Sequence, residues 1–228
     1  MKTKHKEIDN FKCSVHLLNE NYKDYLKDFS TGHGYPEKGL GDYVKKEAFE
    51  EMRTGDGVSY IVMREITNEK LGKKKQEVIA FYTLVSSAIP IIYRTEDDDE
   101  VYEVTCGIPA VRIHMFAVKD SYQDVFYLNK PVAAWIFENI IDTINQKSKE
   151  DMGIKAIYLH SIPSAKKFYK KNKMMEAEEY MTPFSGLDDD CDVMYAFIRD
   201  VSITYEKASK KISRFVRIKR RIGKYLLK

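Results

Sequence analysis

Little in this chain invites disulfide, metal or membrane chemistry. Its 228 residues hold three cysteines, Cys13, Cys106 and Cys191, odd in number, far apart and with no Cys-x-x-Cys pair. That pattern argues against a disulfide framework and a zinc knuckle, and it places the chain in a reducing cytoplasm. Long apolar runs are missing as well: stretches such as Ser87 to Tyr93 fall far below the ~18 residues that a membrane span requires. The charged start MKTKHKEIDN leads into no apolar h-region, so secretion is not expected. Five consecutive acids, Glu96 to Glu100, lack the interleaved Gly and Asn of a calcium loop and are expected to form a solvated connection.

What is present is enough apolar material for a core. Hydrophobic residues make up 43% of the chain, and the length suits one domain with an appendage. The net charge of +3 is unevenly spread. From Ile203 onward ten cations face one anion, Glu206, a net of +9, which leaves −6 on residues 1–202. The tail, 203–228, is thus expected to be a separate electrostatic unit on an acidic body, 1–202.

Periodicity gives a coarse element order. Leu18, Tyr22, Tyr25, Leu26 and Phe29 recur at helical spacing and predict an amphipathic helix over Leu17 to Phe29, and a second helix is expected over Asp42 to Met52. The glycine-rich STGHGYPEKGLG between them follows a helix rather than a strand, so it reads as a helix-helix connection and not as a phosphate cradle. Strands are expected at Ser59 to Glu65 and Glu77 to Ser86, joined by the polar TNEKLGKKKQ, then at Ala110 to Val118. A helix over Val132 to Lys147, a strand at Ile154 to His160, a basic helix over Ser164 to Lys173 and a strand at Cys191 to Ile198 follow. The plan is mixed α/β, or α+β, with one crossover pair at its centre.

Two segments in this order resemble the GNAT superfamily of acyl-CoA-dependent N-acyltransferases. The first is RIHMFAVKDSYQ leading into a helix, and the second is IKAIYLHSIPSAKKFYKKNKMMEA, in which Ala165, Phe168 and Tyr169 stand where the family places them and Lys173-Met174 replaces the usual Gly-Phe. Upstream, VIAFYTLVSSAIPI, GIPAVRIHMFAV and GDYVKKEAFEEM are similar to the toxin-type acetyltransferases of bacterial toxin-antitoxin pairs. The resemblance covers about residues 40 to 198; each motif alone is weak, and their order and spacing carry it.

The resemblance implies a mixed central sheet flanked by helices and an N-acetyl transfer from acetyl-CoA to a primary amine. It implies that backbone of Phe116, Ala117 and Val118 holds the pantetheine arm. The following turn would then meet the pyrophosphate with backbone amides and a helix N-terminus. The family writes that turn with glycines, because glycine lets backbone approach phosphate. This chain supplies Gln123, Asp124, Val125, Phe126, Tyr127, Leu128 and Asn129, with no glycine, so Gln123 and the amides of Asp124 to Leu128 are expected to hold the cofactor in a widened turn, with Asn129 as N-cap and Pro131 in the helix's first turn. Ser164 and Lys167, on the basic helix, complete the expected cofactor set, with the surrounding Lys166, Lys170, Lys171 and Lys173 offsetting the altered turn by charge. Tyr169 matches the general acid. His114, His160 and Ser161 are candidate water-positioning groups.

The tail segregates cations and apolar residues as an amphipathic helix. It suits nucleic acid such as tRNA, an anionic membrane surface or a protein, or its apolar stripe docks on its own domain or on a second protomer in a homodimer. If the toxin-type resemblance holds, an aminoacyl-tRNA acceptor gives these cations phosphates to meet. A second function class stands beside the enzyme: a GNAT-fold module that has lost catalysis and binds nucleic acid or protein through the tail.

Overall fold

The structure is a computed structural model that describes residues 6–32, 37–68, 73–97, 100–177 and 191–198. In chain order the elements are β1 (Lys6–Glu7), β2 (Cys13–Leu17), a 3-10 turn (Glu20–Tyr22), α1 (Lys23–Leu26), α2 (Glu37–Lys45) and α3 (Glu47–Thr54). There follow β3 (Val58–Asn68), β4 (Lys73–Asp97), β5 (Glu100–Val118), α4 (Asp120–Gln123), β6 (Val125–Tyr127), β7 (Lys130–Pro131) and α5 (Val132–Glu150). The described chain closes with β8 (Ala156–Ser161), α6 (Pro163–Lys171), β9 (Met175–Glu176) and β10 (Asp192–Phe197).

Seven strands form the main sheet in the order β2-β3-β4-β5-β8-β10-β9. Neighbours pair antiparallel except β5 and β8, which run parallel and are joined by α5, the crossover that parallel pairing requires. Alternation along the strands gives the sheet two apolar faces. On one, Val62, Tyr82, Val111 and Ile113 pack with Ile136, Phe137 and Ile140 of α5. On the other, Ile61, Met63 and Phe81 pack with Leu26, Phe29, Tyr43, Val44 and Ala48 of the N-terminal helices. This is the expected α+β plan of a mixed sheet flanked by helices. No helix among the described residues is long and apolar enough to cross a membrane.

Several elements differ from the periodicity reading. The stretch Leu17 to Phe29 is not one helix. Leu17 ends β2, paired with Tyr60, and Asn19 restarts the chain by accepting the Asn21 amide at 3.0 Å, so only short helical turns follow. Its apolar residues Leu18, Leu26 and Phe29 are buried all the same, which is what the spacing had detected. The helix expected over Asp42 to Met52 is two helices, broken at Lys46, which has φ −131° and ψ −68°. The acidic run expected as a solvated loop is in part strand: Glu96 and Asp97 of β4 pair with Val101 and Glu100 of β5, and Asp98 and Asp99 lie outside the described residues. Strands β1 and β2 have no counterpart in the expected order. The tail 203–228 and its boundary at residue 202 lie outside the described residues.

Candidate functional site

Strands β5 and β8 touch over three residue pairs only, Ala110 with Ala156, Val111 with Ile157 and Arg112 with Tyr158. Beyond Arg112 they part, and each is held from its outer side, β5 by β4 and β8 by β10. Among the described residues, the inner edge of β5 from Ile113 to Val118 therefore has no strand beside it. Such an edge offers a row of main-chain donors and acceptors to an extended ligand, as in strand addition. A groove of about 330 Å³ opens here, lined by Phe116, Ala117, Val118, Gln123, Ser164 and Tyr169 of the expected residues. Thr31, Leu40, Ala133, Ile162, Ala165 and Phe168 complete it. Thr31 and Leu40 come from the glycine-rich segment, which reads as a connection in the sequence and contributes these two residues to the groove.

The segment after β5 is not a widened turn of free amides. It folds as the single helical turn α4 and then a β6–β7 hairpin, and β6 lies between β7 and β1. Val125 and Phe126 pair with Lys6 and Glu7, while Phe126 and Tyr127 pair with Pro131 and Lys130. The Asp124 amide bonds the Tyr122 carbonyl, and the Asn129 amide faces the Glu7 carboxylate at 3.4 Å. Leu128 and Asn129 form the hairpin tip with φ of 49° and 59°. Asn129 is therefore not the N-cap of α5. Pro131 holds that position, with no side-chain cap, and Val132 is the first helical residue. Asp124, Val125, Phe126, Tyr127, Leu128 and Asn129 do not line the groove, and Lys167 does not either.

The Tyr-Gln pair has structural partners. Gln123 donates its side-chain amide to the carbonyls of Thr31 at 3.0 Å and Val118 at 3.3 Å, tying two groove-lining segments together. The Tyr122 hydroxyl receives Arg64 at 3.0 Å and donates to Glu77, which also meets Lys119 at 3.3 Å. Burial first, and then the Glu77 carboxylate, push the Tyr122 phenol up to about 12. These bonds anchor α4 against β3 and β4.

At the base of the splay the β4–β5 register slips: Thr83 faces Met115 and Leu84 faces Ile113, so His114 is the extra residue of a bulge. Bulges re-aim side chains and recur beside active sites. The His114 ring lies edge-on to Tyr43, with centroids 6.0 Å apart, and its Nε2 is 3.7 Å from Glu51 Oε1. Burial, then the Arg112 charge, hold the His114 pKa below its ordinary value against the opposing pull of Glu51. Tyr43 donates to Glu51 Oε2 at 2.7 Å and accepts from the Thr83 hydroxyl at 3.2 Å, and Thr83 Oγ1 lies 2.7 Å from Ser59 Oγ. Ser59 and Thr83 are fully buried. A neutral imidazole of this kind is able to take up a proton at neutral pH. Tyr43 and Glu51 lie in the GDYVKKEAFEEM segment, but nothing in the sequence assigns either a role; the break at Lys46 and the fold bring them to the bulge.

Tyr169 is 8% exposed and sits between the rings of Phe137 and Phe168, at 5.3 and 5.2 Å. Its hydroxyl has no hydrogen-bond partner among the described residues, and desolvation raises its pKa, so the phenol keeps its proton. Ser161 is buried and donates to the Ile162 carbonyl at 2.9 Å, and His160 packs 6.0 Å from Tyr158 on β8. Neither lines the groove. Of the basic helix, Lys166 meets Glu176 at 2.9 Å and Asp192 at 3.2 Å, and Lys170 also pairs with Glu176.

No protein-family model matches the chain, and no curated protein matches its sequence. Solved structures do. AtaTR bound with acetyl-CoA is similar at a TM-score of 0.60 and 15% identity, over 85% of this chain and 98% of that one. AtaT complexed with acetyl-methionyl-tRNAfMet is similar at 0.54 and 16%, over 85% and 99%. A tyrosine-to-phenylalanine mutant of KacT is similar at 0.56 and 12%, over 82% and 95%. The chain thus has the fold of the GNAT-type toxin acetyltransferases, which was expected from the order of its motifs.

Proposed function

We propose that this chain is an N-acetyltransferase that moves an acetyl group from acetyl-CoA to a primary amine. The observation that carries the reading is the parting of β5 and β8 beyond Arg112, which opens an apolar groove onto a buried, protonated Tyr169 and lies beside the bulge residue His114. The residues fit the pantetheine end of the cofactor: a free strand edge for its amides, and Phe116, Leu40, Ile162 and Phe168 for its carbons. When bound, acetyl-CoA supplies an activated thioester.

The chain's own groups supply the proton traffic. A new C–N bond forms as the C–S bond breaks, and the amine must shed a proton while the departing sulfur gains one. Tyr169 holds a proton in an apolar shell, which suits it as the acid for the sulfur. His114, neutral through burial and Arg112, suits the base that relieves the amine, and Glu51 with Tyr43 orients its ring. His160 and Ser161 are packing groups in this scheme.

For the acceptor, we infer the α-amino group of an aminoacyl-tRNA. The ten cations of residues 203–228 give phosphates a partner, and AtaT, which shares the fold, is known in complex with an acetylated aminoacyl-tRNA. A protein amine is the competing acceptor. One observation favours the second class, a binding module without catalysis: the amides expected at the pyrophosphate belong to a hairpin. A thermal-shift titration of the full chain decides between the two. Saturable stabilisation by acetyl-CoA supports the enzyme, and no shift at millimolar acetyl-CoA overturns it.

A further inference from the structure

The groove and its surroundings are unequal along their length. At the splayed end, an open strand edge and apolar side chains match an acylated pantetheine arm. Gln123 and Ala133 also line the groove, and the segment between them, Asp124 to Pro131, is poorly made for a pyrophosphate. The backbone of Val125 to Tyr127 is enclosed between β1 and β7. The Asp124 amide is bonded within its own turn, and the Asn129 amide faces Glu7. Glu7 and Asp124 add two carboxylates to this corner beside Lys6 and Lys130, the second of which is paired with Glu138, so the corner carries no excess of positive charge for phosphates. Among the described residues no Lys or Arg lines the groove, and Lys166 and Lys170 are held by Glu176.

We propose that the chain recognises its acyl donor through the acyl-pantetheine portion and leaves the nucleotide portion nearly unread. This rests on the acyltransferase reading above and adds a donor specificity to it. The strand edge of β5, Phe116 and Phe168 do the selecting. The β1–β6–β7 sheet fills the corner where a glycine turn would otherwise cradle phosphate oxygens. Nucleotide affinity falls away while the thioester remains held where Tyr169 can reach it.

The test is calorimetry on the full chain with acetyl-CoA, S-acetylpantetheine and 3′,5′-ADP. The expected result is a Kd for S-acetylpantetheine within about tenfold of that for acetyl-CoA, and no displacement of acetyl-CoA by 3′,5′-ADP at about 1 mM. A gap in Kd larger than about tenfold in favour of acetyl-CoA, or displacement by 3′,5′-ADP, overturns the proposal and leaves the acyltransferase reading standing. Failure of acetyl-CoA and S-acetylpantetheine alike to bind removes both.

Discussion

Nε2 of His114 stands 3.7 Å from Oε1 of Glu51, and the other oxygen of that carboxylate receives the Tyr43 hydroxyl at 2.7 Å. The imidazole is therefore pulled two ways. Burial and Arg112 lower its pKa below 6.5, and Glu51 raises it. Because the folded value is the depressed one, the unfolded chain binds more protons below pH 6.5, and stability is lost as pH falls from there toward the folded pKa. His114→Gln should flatten that part of the pH–stability curve. Arg112→Met should raise the imidazole pKa and Glu51→Gln should lower it, each read from the ring proton shifts by NMR. Shifts in the opposite directions would remove Arg112 and Glu51 as the groups that set it.

Tyr169→Phe separates chemistry from packing. The hydroxyl is desolvated and lacks a partner among the described residues, so its removal leaves no acceptor orphaned. The unfolding free energy in urea should stay within about 1 kcal/mol of the parent or rise. Transfer of labelled acetyl to a bulk aminoacyl-tRNA pool should drop by at least ~100-fold if the phenol is the acid, with little change in acetyl-CoA affinity. A purely structural Tyr169 would show the reverse pattern.

The sequence made the centre of this fold legible and its corners obscure. Val111, Ile113, Ile136, Ile140 and Ile144 announce themselves by strand and helix periods, and they are the core that fixes the β5–α5–β8 crossover. The resemblance in RIHMFAVKDSYQ led to Phe116, Ala117, Val118 and Gln123, all four of which line the groove. The turn after them was beyond periodicity, because its conformation is imposed by Lys6 and Glu7 from the start of the chain. Two-residue strands carry no alternation to detect. The roles of Glu51 and Tyr43 were equally hidden, although both lie in the GDYVKKEAFEEM segment: one reads as a helix acid, the other as one of sixteen tyrosines. Tertiary placement alone gives them His114 as a neighbour.

Gln123 offers a stability test of the groove's frame. Its amide nitrogen donates to the carbonyls of both Thr31 and Val118, two residues from separate segments that line the groove. Gln123→Ala removes both bonds and should cost about 1–3 kcal/mol in urea unfolding. Thr31 and Val118 line the groove, so acetyl-CoA and S-acetylpantetheine should weaken together. Unchanged stability would show that the two segments hold without this tie.

Lys173 stands at the C-terminal end of α6 with φ 67°, in the place where the related motif has glycine. The helix closes there through the Met174 amide on the Tyr169 carbonyl at 3.1 Å and the Lys173 amide on the Lys170 carbonyl at 3.1 Å, bonds that demand the left-handed residue. A side chain in that conformation costs about 1–2 kcal/mol, and the greater freedom of glycine in the unfolded chain offsets about 0.5–1 kcal/mol of the relief. Lys173→Gly should therefore raise stability by roughly 0.5–1 kcal/mol, measured as a higher urea midpoint at unchanged slope. Lys173→Ala keeps a Cβ at the same φ and should give no such gain, which separates backbone strain from loss of the lysine charge. Asn172→Gly, one residue earlier at φ −95°, should lower stability instead, because that backbone is unstrained and the Asn172 Nδ2 bond to the Phe168 carbonyl at 2.8 Å is lost. Equal effects at the two positions would show that the helix end is held by something other than its left-handed residue.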